Sequence, residues 1–186
     1  LSNLMALVTA RAALGATRLN PVLLCSQDAH VSINKAARVM GLADDALQAI
    51  PVTPDGGLCL EALADRLKTL QAQGRPCLAV VATAGTTVRG AIDPLLDLAA
   101  LCRDAGVWLH VDAAIRGVFA LSANHAFLMR GIELADSITL NPQKLLGITK
   151  ASSLLLLRDR THLRKAFSTG LPYMQAPTGM DHGGGI

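Results

Sequence analysis

Apolar residues recur along this chain in two alternating rhythms. Leu4, Leu7, Val8 and Leu14 fall at near-helical spacing and predict a helix over 3–17, with Gly15 near its stop. Pro21 to Cys25 is a short apolar run of strand length. Ser32 is placed to cap a helix that carries Ile33, Ala36, Ala37 and Met40 and stops at Gly41. A second strand is expected over Ala49 to Val52, a turn at Asp55-Gly56-Gly57, and a helix over 60–72 with Leu60, Leu63, Leu67 and Leu70 on one face. Leu78 to Ala82 is apolar without alternation, the pattern of a strand buried on both faces of a parallel sheet. Asp93 is placed to cap a helix that has Pro94 at its first position and runs to about Asp104. Val107 to Asp112, Ser137 to Leu140 and Ser153 to Leu157 are the remaining strands. A last helix is expected over 160–168, and from Leu171 onward Pro, Gly and polar residues read as a loop.

Strands alternating with crossover helices make an α/β fold with a mostly parallel sheet. The 186 residues are enough for one domain with a real core, and 51% hydrophobic content excludes a disordered chain. A net charge of +3, from 17 basic and 14 acidic residues spread evenly, argues against a nucleic-acid partner. No apolar run approaches the ~20 residues of a spanning helix, so no membrane partner is expected. Cys25, Cys59, Cys77 and Cys102 contain no CxxC pair, which argues against a zinc ribbon or a disulfide framework. They read as small buried hydrophobes of a reducing, cytoplasmic compartment, and no metal site is expected. The first residue is Leu1 rather than Met, and the chain stops in Gly183-Gly184-Gly185-Ile186, so neither end reads as a natural terminus.

In a parallel sheet, ligands bind beyond the carboxyl ends of the strands. The residues there are Gln27-Asp28-Ala29-His30, Thr83-Ala84-Gly85-Thr86-Thr87, Asp112-Ala113-Ala114 and Asn141-Pro142-Gln143-Lys144. A lysine flanked by Leu140, Leu145 and Leu146 suits a neutral amine, which a Schiff base with an aldehyde requires. A carboxylate ending a buried strand needs a partner, and the protonated nitrogen of a pyridine ring would serve Asp112. His110 lies two residues earlier on the same side of the strand, placed to hydrogen-bond that carboxylate from behind. The Gly85-Thr86-Thr87 turn suits a ring oxygen, a carboxylate or a phosphate, and His30 is flat enough to stack on a ring. Taken singly, each has a plainer reading: a solvated lysine, a helix-capping aspartate, turn hydroxyls, a core histidine.

Together and in this order, Thr83-Ala84-Gly85-Thr86-Thr87 with Gly90 and Asp93-Pro94, His110-Val111-Asp112-Ala113-Ala114, and Ala135-Asp136-Ser137 with Asn141-Pro142-Gln143-Lys144 resemble the pyridoxal-phosphate-dependent group II amino-acid decarboxylases. That family acts on substrates such as glutamate, aromatic amino acids, diaminobutyrate and aspartate. The resemblance extends over essentially the whole chain. It implies the large domain of a fold-type I enzyme over 1–170 and the start of a mobile catalytic loop over 171–186. The phosphate loop that would precede Leu1 and the small domain that would follow Ile186 are expected to be missing.

Residue by residue, the resemblance implies that Lys144 forms the Schiff base with pyridoxal 5'-phosphate, and that Asp112, backed by His110, pairs with the ring nitrogen. It implies that His30 stacks on the ring and Ala114 packs against the other face. Thr87 lies near the cofactor, and Asn141 and Gln143 lie at the phosphate. The resemblance also implies that Tyr173 is the mobile-loop tyrosine that protonates the α-carbon after carbon dioxide leaves. Two positions depart from the pattern: Gln143 stands where histidine is usual, and Ile115-Arg116 stands where an aromatic and a small residue are frequent. The activity implied is decarboxylation of an L-amino acid by a homodimer. Its rivals are another fold-type I activity, an aminotransferase or aldolase, and a truncated fragment without catalysis. The nucleotide-binding and hydrolase motifs GxxxxGK[ST], GxGxxG and GxSxG are absent.

Overall fold

The structure, a computed structural model, describes residues 1–15 and 20–168. Its strands are β1 (Val22–Ser26), β2 (Leu47–Ile50), β3 (Cys77–Thr83), β4 (Trp108–Asp112), β5 (Ser137–Leu140) and β6 (Leu154–Leu157). They form one sheet in the order β2-β1-β3-β4-β5-β6, parallel throughout except for the antiparallel β5–β6 pair. The helices are α1 (Ser2–Ala13), α2 (Ser32–Val39), α3 (Leu60–Ala72), α4 (Leu95–Ala105) and α5 (Thr161–Phe167).

The unalternating apolar strands are explained by helices on both faces. Val22 and Leu24 of β1, Val80 and Ala82 of β3, and Leu109 and Val111 of β4 pack with Leu63, Leu70, Leu98 and Cys102 of α3 and α4. The intervening residues Leu23, Cys25, Ala79, Val81 and Trp108 turn to the other face, against Leu7, Ala10, Ile33 and Ala36 of α1 and α2. Strands covered on both sides leave no position where a polar residue would be solvated, so period-two alternation disappears.

Several boundaries differ from the expectation. β2 lies earlier than 49–52 because Pro51 has no N–H to extend the ladder. Helix α1 ends at Ala13, and residues 16 and 17 of its expected span lie outside the described residues. Between β4 and β5 run three short 3₁₀ turns, Gly117–Leu121, Ala126–Met129 and Ile132–Leu134, which the periodicity did not foreshadow. Ser32 does not cap α2, whose N-cap is Val31 without a side-chain hydrogen bond.

Asp93 does not cap α4 either, for Pro94 occupies that position. Its buried carboxylate instead accepts hydrogen bonds from the backbone N–H of Leu58 at 2.7 Å and of Thr83 at 2.6 Å. It thereby ties the loop before α3 to the end of β3. Burial pushes the Asp93 carboxyl up to about 6, against the pull of these two donors. A carboxyl raised in the folded state adds stability that is full below its unfolded value of 3.8 and lost as pH rises through about 6. Asp93→Asn carries no such dependence, and its own packing cost is the same at both ends of the range. The stability of wild type relative to this variant is expected to fall by about 2 kcal/mol between about pH 4.5 and about pH 7. Denaturant titrations at the two pH values measure it, and an unchanged difference would refute it.

Candidate active site

The parallel register sets Thr83, Asp112 and Thr139 side by side at the carboxyl ends of β3, β4 and β5. All three are buried polar residues, and they floor a cavity of about 140 Å³. Its walls include Asn3 of α1, His30, Gly85, Thr86 and Thr87 of the loop after β3, Ala114, Asn141 and Lys144. A larger hollow of about 450 Å³ lies at the opposite end of the sheet, between α3 and α4 near Cys77. It lies away from the carboxyl ends of the strands, so chemistry rather than size selects the smaller cavity.

Beneath the floor runs a polar network. Asp112 Oδ2 accepts a hydrogen bond from Asn3 Nδ2 at 2.7 Å, and Oδ1 accepts one from the Ala114 N–H at 3.2 Å. Asp112 forms no ion pair among the described residues. The expected direct bond from His110 to Asp112 is not made. His110 Nε2 lies 3.0 Å from Asn3 Oδ1, so Asn3 stands between the two side chains. Both point to the α1 face, as their spacing of two implied, but α1 fills the gap with an amide. Burial pushes the His110 imidazole well below its usual range, although nearby Asp112 pulls the other way.

Lys144 lines the cavity from a turn after β5, where its N–H donates to Asn141 O at 3.0 Å. The apolar surround expected for it is not there. Leu145 and Leu146 turn outward, 53% and 50% exposed, and Lys144 is itself exposed. Gln143 does not line the cavity: its side-chain oxygen is buried elsewhere without a partner. Asn141 Oδ1 accepts from Ser153 Oγ at 2.6 Å, and Ser2 Oγ donates to Ser153 at 2.7 Å, joining α1 to the start of β6. Thr87 and Ala114 line the cavity, and Tyr173 lies outside the described residues.

Arg116 neither enters the cavity nor floats free. Its aliphatic stem lies along the loop after β3, where Gly85 adopts φ +100°. A Cβ on Gly85 would sit 2.7 Å from Arg116 Cγ, so the turn needs glycine for space as well as for conformation. The guanidinium rests 5.8 Å from the centre of the Phe119 ring. Sequence reasoning missed Asn3 and Thr139, gave Ser32 only a capping role and placed Thr83 at a strand end without a role of its own. Thr83 and Thr139 each sit at a strand end, but only the register shows that they flank Asp112.

One family model, the pyridoxal-dependent decarboxylase conserved domain, matches residues 9–183. The chain belongs to this family. L-2,4-diaminobutyrate decarboxylase of Rhizobium meliloti (strain 1021) is 44% identical over 160 residues, which cover 86% of this chain and 32% of the relative. Cysteine sulfinic acid decarboxylase of Rattus norvegicus is 42% identical over 143 residues, 77% of this chain and 29% of the relative. A crystal structure of mouse CSAD superposes with a TM-score of 0.88 at 35% identity, covering 95% of this chain and 39% of that one. The chain thus spans about a third of the length of the curated relatives it matches.

The cofactor that this decarboxylase family implies is pyridoxal 5'-phosphate, and the donor set here fits it. Asp112 is a buried carboxylate that forms no ion pair among the described residues, the complement of a protonated ring nitrogen. The Thr83 and Thr139 hydroxyls on either side of it are buried with no hydrogen-bond partner among the described residues. An amine, Lys144, lines the same cavity. Among the described residues, no cluster of His, Cys, Asp and Glu could hold a metal ion, and no helix is long and apolar enough to cross a membrane.

Proposed function

We propose that the protein is a pyridoxal-phosphate-dependent carboxy-lyase that converts an L-amino acid to an amine and carbon dioxide. The observation that carries this reading is the pairing, in one cavity, of an uncompensated buried carboxylate with a lysine at the end of the neighbouring strand. When bound, the cofactor supplies an aldehyde for amine capture and a cationic ring that withdraws electrons from the bond that breaks.

The chain's own residues divide the remaining work. Lys144 Nζ would hold the cofactor, because it presents an amine to the cavity. Asp112 keeps the proton on the ring nitrogen, so the site stays an electron sink. His30 and Ala114 would hold the ring between them, and Thr87 and Asn141 would offer polar contacts to the group, since all four line the cavity. Gln143, half-buried and not among the residues that line the cavity, is assigned no contact. His110 acts behind the carboxylate. Tyr173, in the segment 171–186 that follows the large domain of 1–170, would deliver a proton to the substrate carbon after carbon dioxide departs.

The working unit is a homodimer in the cytoplasm. Exposed Leu145, Leu146, Ile148, Leu154 and Leu156 give it apolar surface to cover, and four free cysteines suit a reducing compartment. The test is product analysis on the full-length protein loaded with pyridoxal phosphate. Stoichiometric carbon dioxide release from one or more L-amino acids supports the proposal. Transfer of the amino group to a keto acid, or carbon–carbon cleavage without carbon dioxide, would replace it with an aminotransferase or an aldolase.

A further inference from the structure

Asn3 sits at the junction of the network under the cavity, and the hydrogen bonds around it have only one consistent direction. An ionised carboxylate only accepts hydrogen bonds. The Asn3 atom 2.7 Å from Asp112 Oδ2 is therefore the amide nitrogen, which turns the amide oxygen to His110 Nε2 at 3.0 Å. His110 must donate there, so Nε2 carries a proton. Its other nitrogen, Nδ1, lies 2.9 Å from Ser137 Oγ. That hydroxyl already accepts the Trp108 Nε1–H at 2.8 Å and has its own proton left to give. A fully buried imidazole stays neutral and takes it.

On the other side, Asn3 Nδ2 also donates to Ser32 Oγ at 2.9 Å. Ser32 Oγ donates in turn to His30 Nδ1 at 2.8 Å, where the Ser32 backbone N–H also points at 3.2 Å. His30 is left with its proton on Nε2. This accounts for the failure of Ser32 to cap α2, because its hydroxyl is committed to the two site residues.

We infer that Asn3 is a positioning residue of the site: its amide turns the charge of Asp112 into fixed proton positions on His110 and, through Ser32, on His30. The inference rests on the reading of Asp112 as the partner of the ring nitrogen, because that role requires the carboxylate to be ionised. The ionisable groups facing the junction are Asp112 and His110 from β4, His30 from the loop before α2, and Lys144 across the cavity. If Asn3 is removed, His110 Nε2 loses its acceptor, while Nδ1 still has the Ser137 carbonyl oxygen at 3.2 Å. The proton on His110 then moves from Nε2 to Nδ1.

The experiment is nitrogen NMR on full-length protein labelled at histidine, without cofactor, near neutral pH. Wild type is expected to hold the His110 proton on Nε2. Asn3→Ala is expected to move it to Nδ1, whereas Ser137→Ala leaves it on Nε2. In parallel, Asn3→Ala is expected to weaken pyridoxal phosphate binding by roughly 10- to 100-fold, the scale of losing a group that orients a ligand-holding side chain. Asn3→Asp, which keeps the shape but sets a second carboxylate against Asp112, serves if the alanine variant does not fold, and is expected to leave His110 doubly protonated. A proton still held on Nε2 alone in folded Asn3→Ala, a His110 without a second proton in folded Asn3→Asp, or a proton found on Nδ1 in wild type overturns the inference. Wild-type protein that binds no pyridoxal phosphate yet shows the Asn3-dependent shift overturns the proposed function and leaves the role of Asn3 standing.

Discussion

Lys144→Ala in the full-length protein is expected to lower the decarboxylation rate by roughly 10³-fold or more, because it removes the nucleophile that holds and releases the cofactor. Among the described residues, Lys144 is the lysine that lines the cavity, so no neighbour there replaces it. Its backbone is set by the turn that Pro142 begins and the Lys144 N–H to Asn141 O bond closes. The outward Leu145 and Leu146 leave the cavity-facing amine as the group most changed by truncation. Lys144→Arg keeps the charge, but a guanidinium is not a nucleophile at neutral pH, and it is expected to be nearly as inactive. Borohydride reduction of loaded wild type followed by peptide mapping checks the same point. The cofactor should be found on the peptide containing Lys144 and be absent from that peptide in the alanine variant. Cofactor retained there in Lys144→Ala would refute the assignment.

Asp112→Asn is expected to cost roughly 10²- to 10³-fold in kcat, the scale for removing one preorganised charge partner from a water-poor site. The side chain keeps its size, so the effect reads out charge rather than packing. A second consequence follows from the network. A neutral amide at position 112 can present its nitrogen to Asn3 Nδ2, and two donors then face each other where one donor met one acceptor at 2.7 Å. Turning its oxygen to Asn3 instead sets its nitrogen against the Ala114 N–H, so a donor–donor contact remains unless Asn3 rotates and takes the acceptor away from His110 Nε2. Asp112→Asn should therefore disturb the His110 nitrogen signals even without cofactor. Steady-state kinetics and the same NMR spectra measure both. Unchanged kcat would remove Asp112 from the mechanism.

The comparison of sequence with structure separates two kinds of information. Leu78 to Ala82 was readable as a doubly buried strand because an unalternating apolar run has few other uses in a short segment. His110 and Asp112 were readable as sharing a face because strand periodicity is two. The sequence points to Asp93 as a helix cap, since an acidic residue before Pro94 carries the local signature of one. Its real partners, Leu58 and Thr83, are brought to it by packing across the sheet end. It points to Ser32 in the same way, and again a distant residue, Asn3, claims the hydroxyl.

The sequence by itself determined the alternating elements, the parallel sheet, and the strand ends that carry His30, Asp112 and Lys144. These follow from local periodicity and from motifs contiguous in the chain, and local rules report them faithfully. The tertiary structure alone decided that Thr83 and Thr139 flank Asp112, that Asn3 stands between Asp112 and His110, and that Gln143 turns off the cavity wall. The physical reason is that strand register and helix docking join residues more than a hundred positions apart, as Asn3 and Asp112 are. A buried polar atom takes whatever partner that docking supplies, and no local pattern encodes which one it will be.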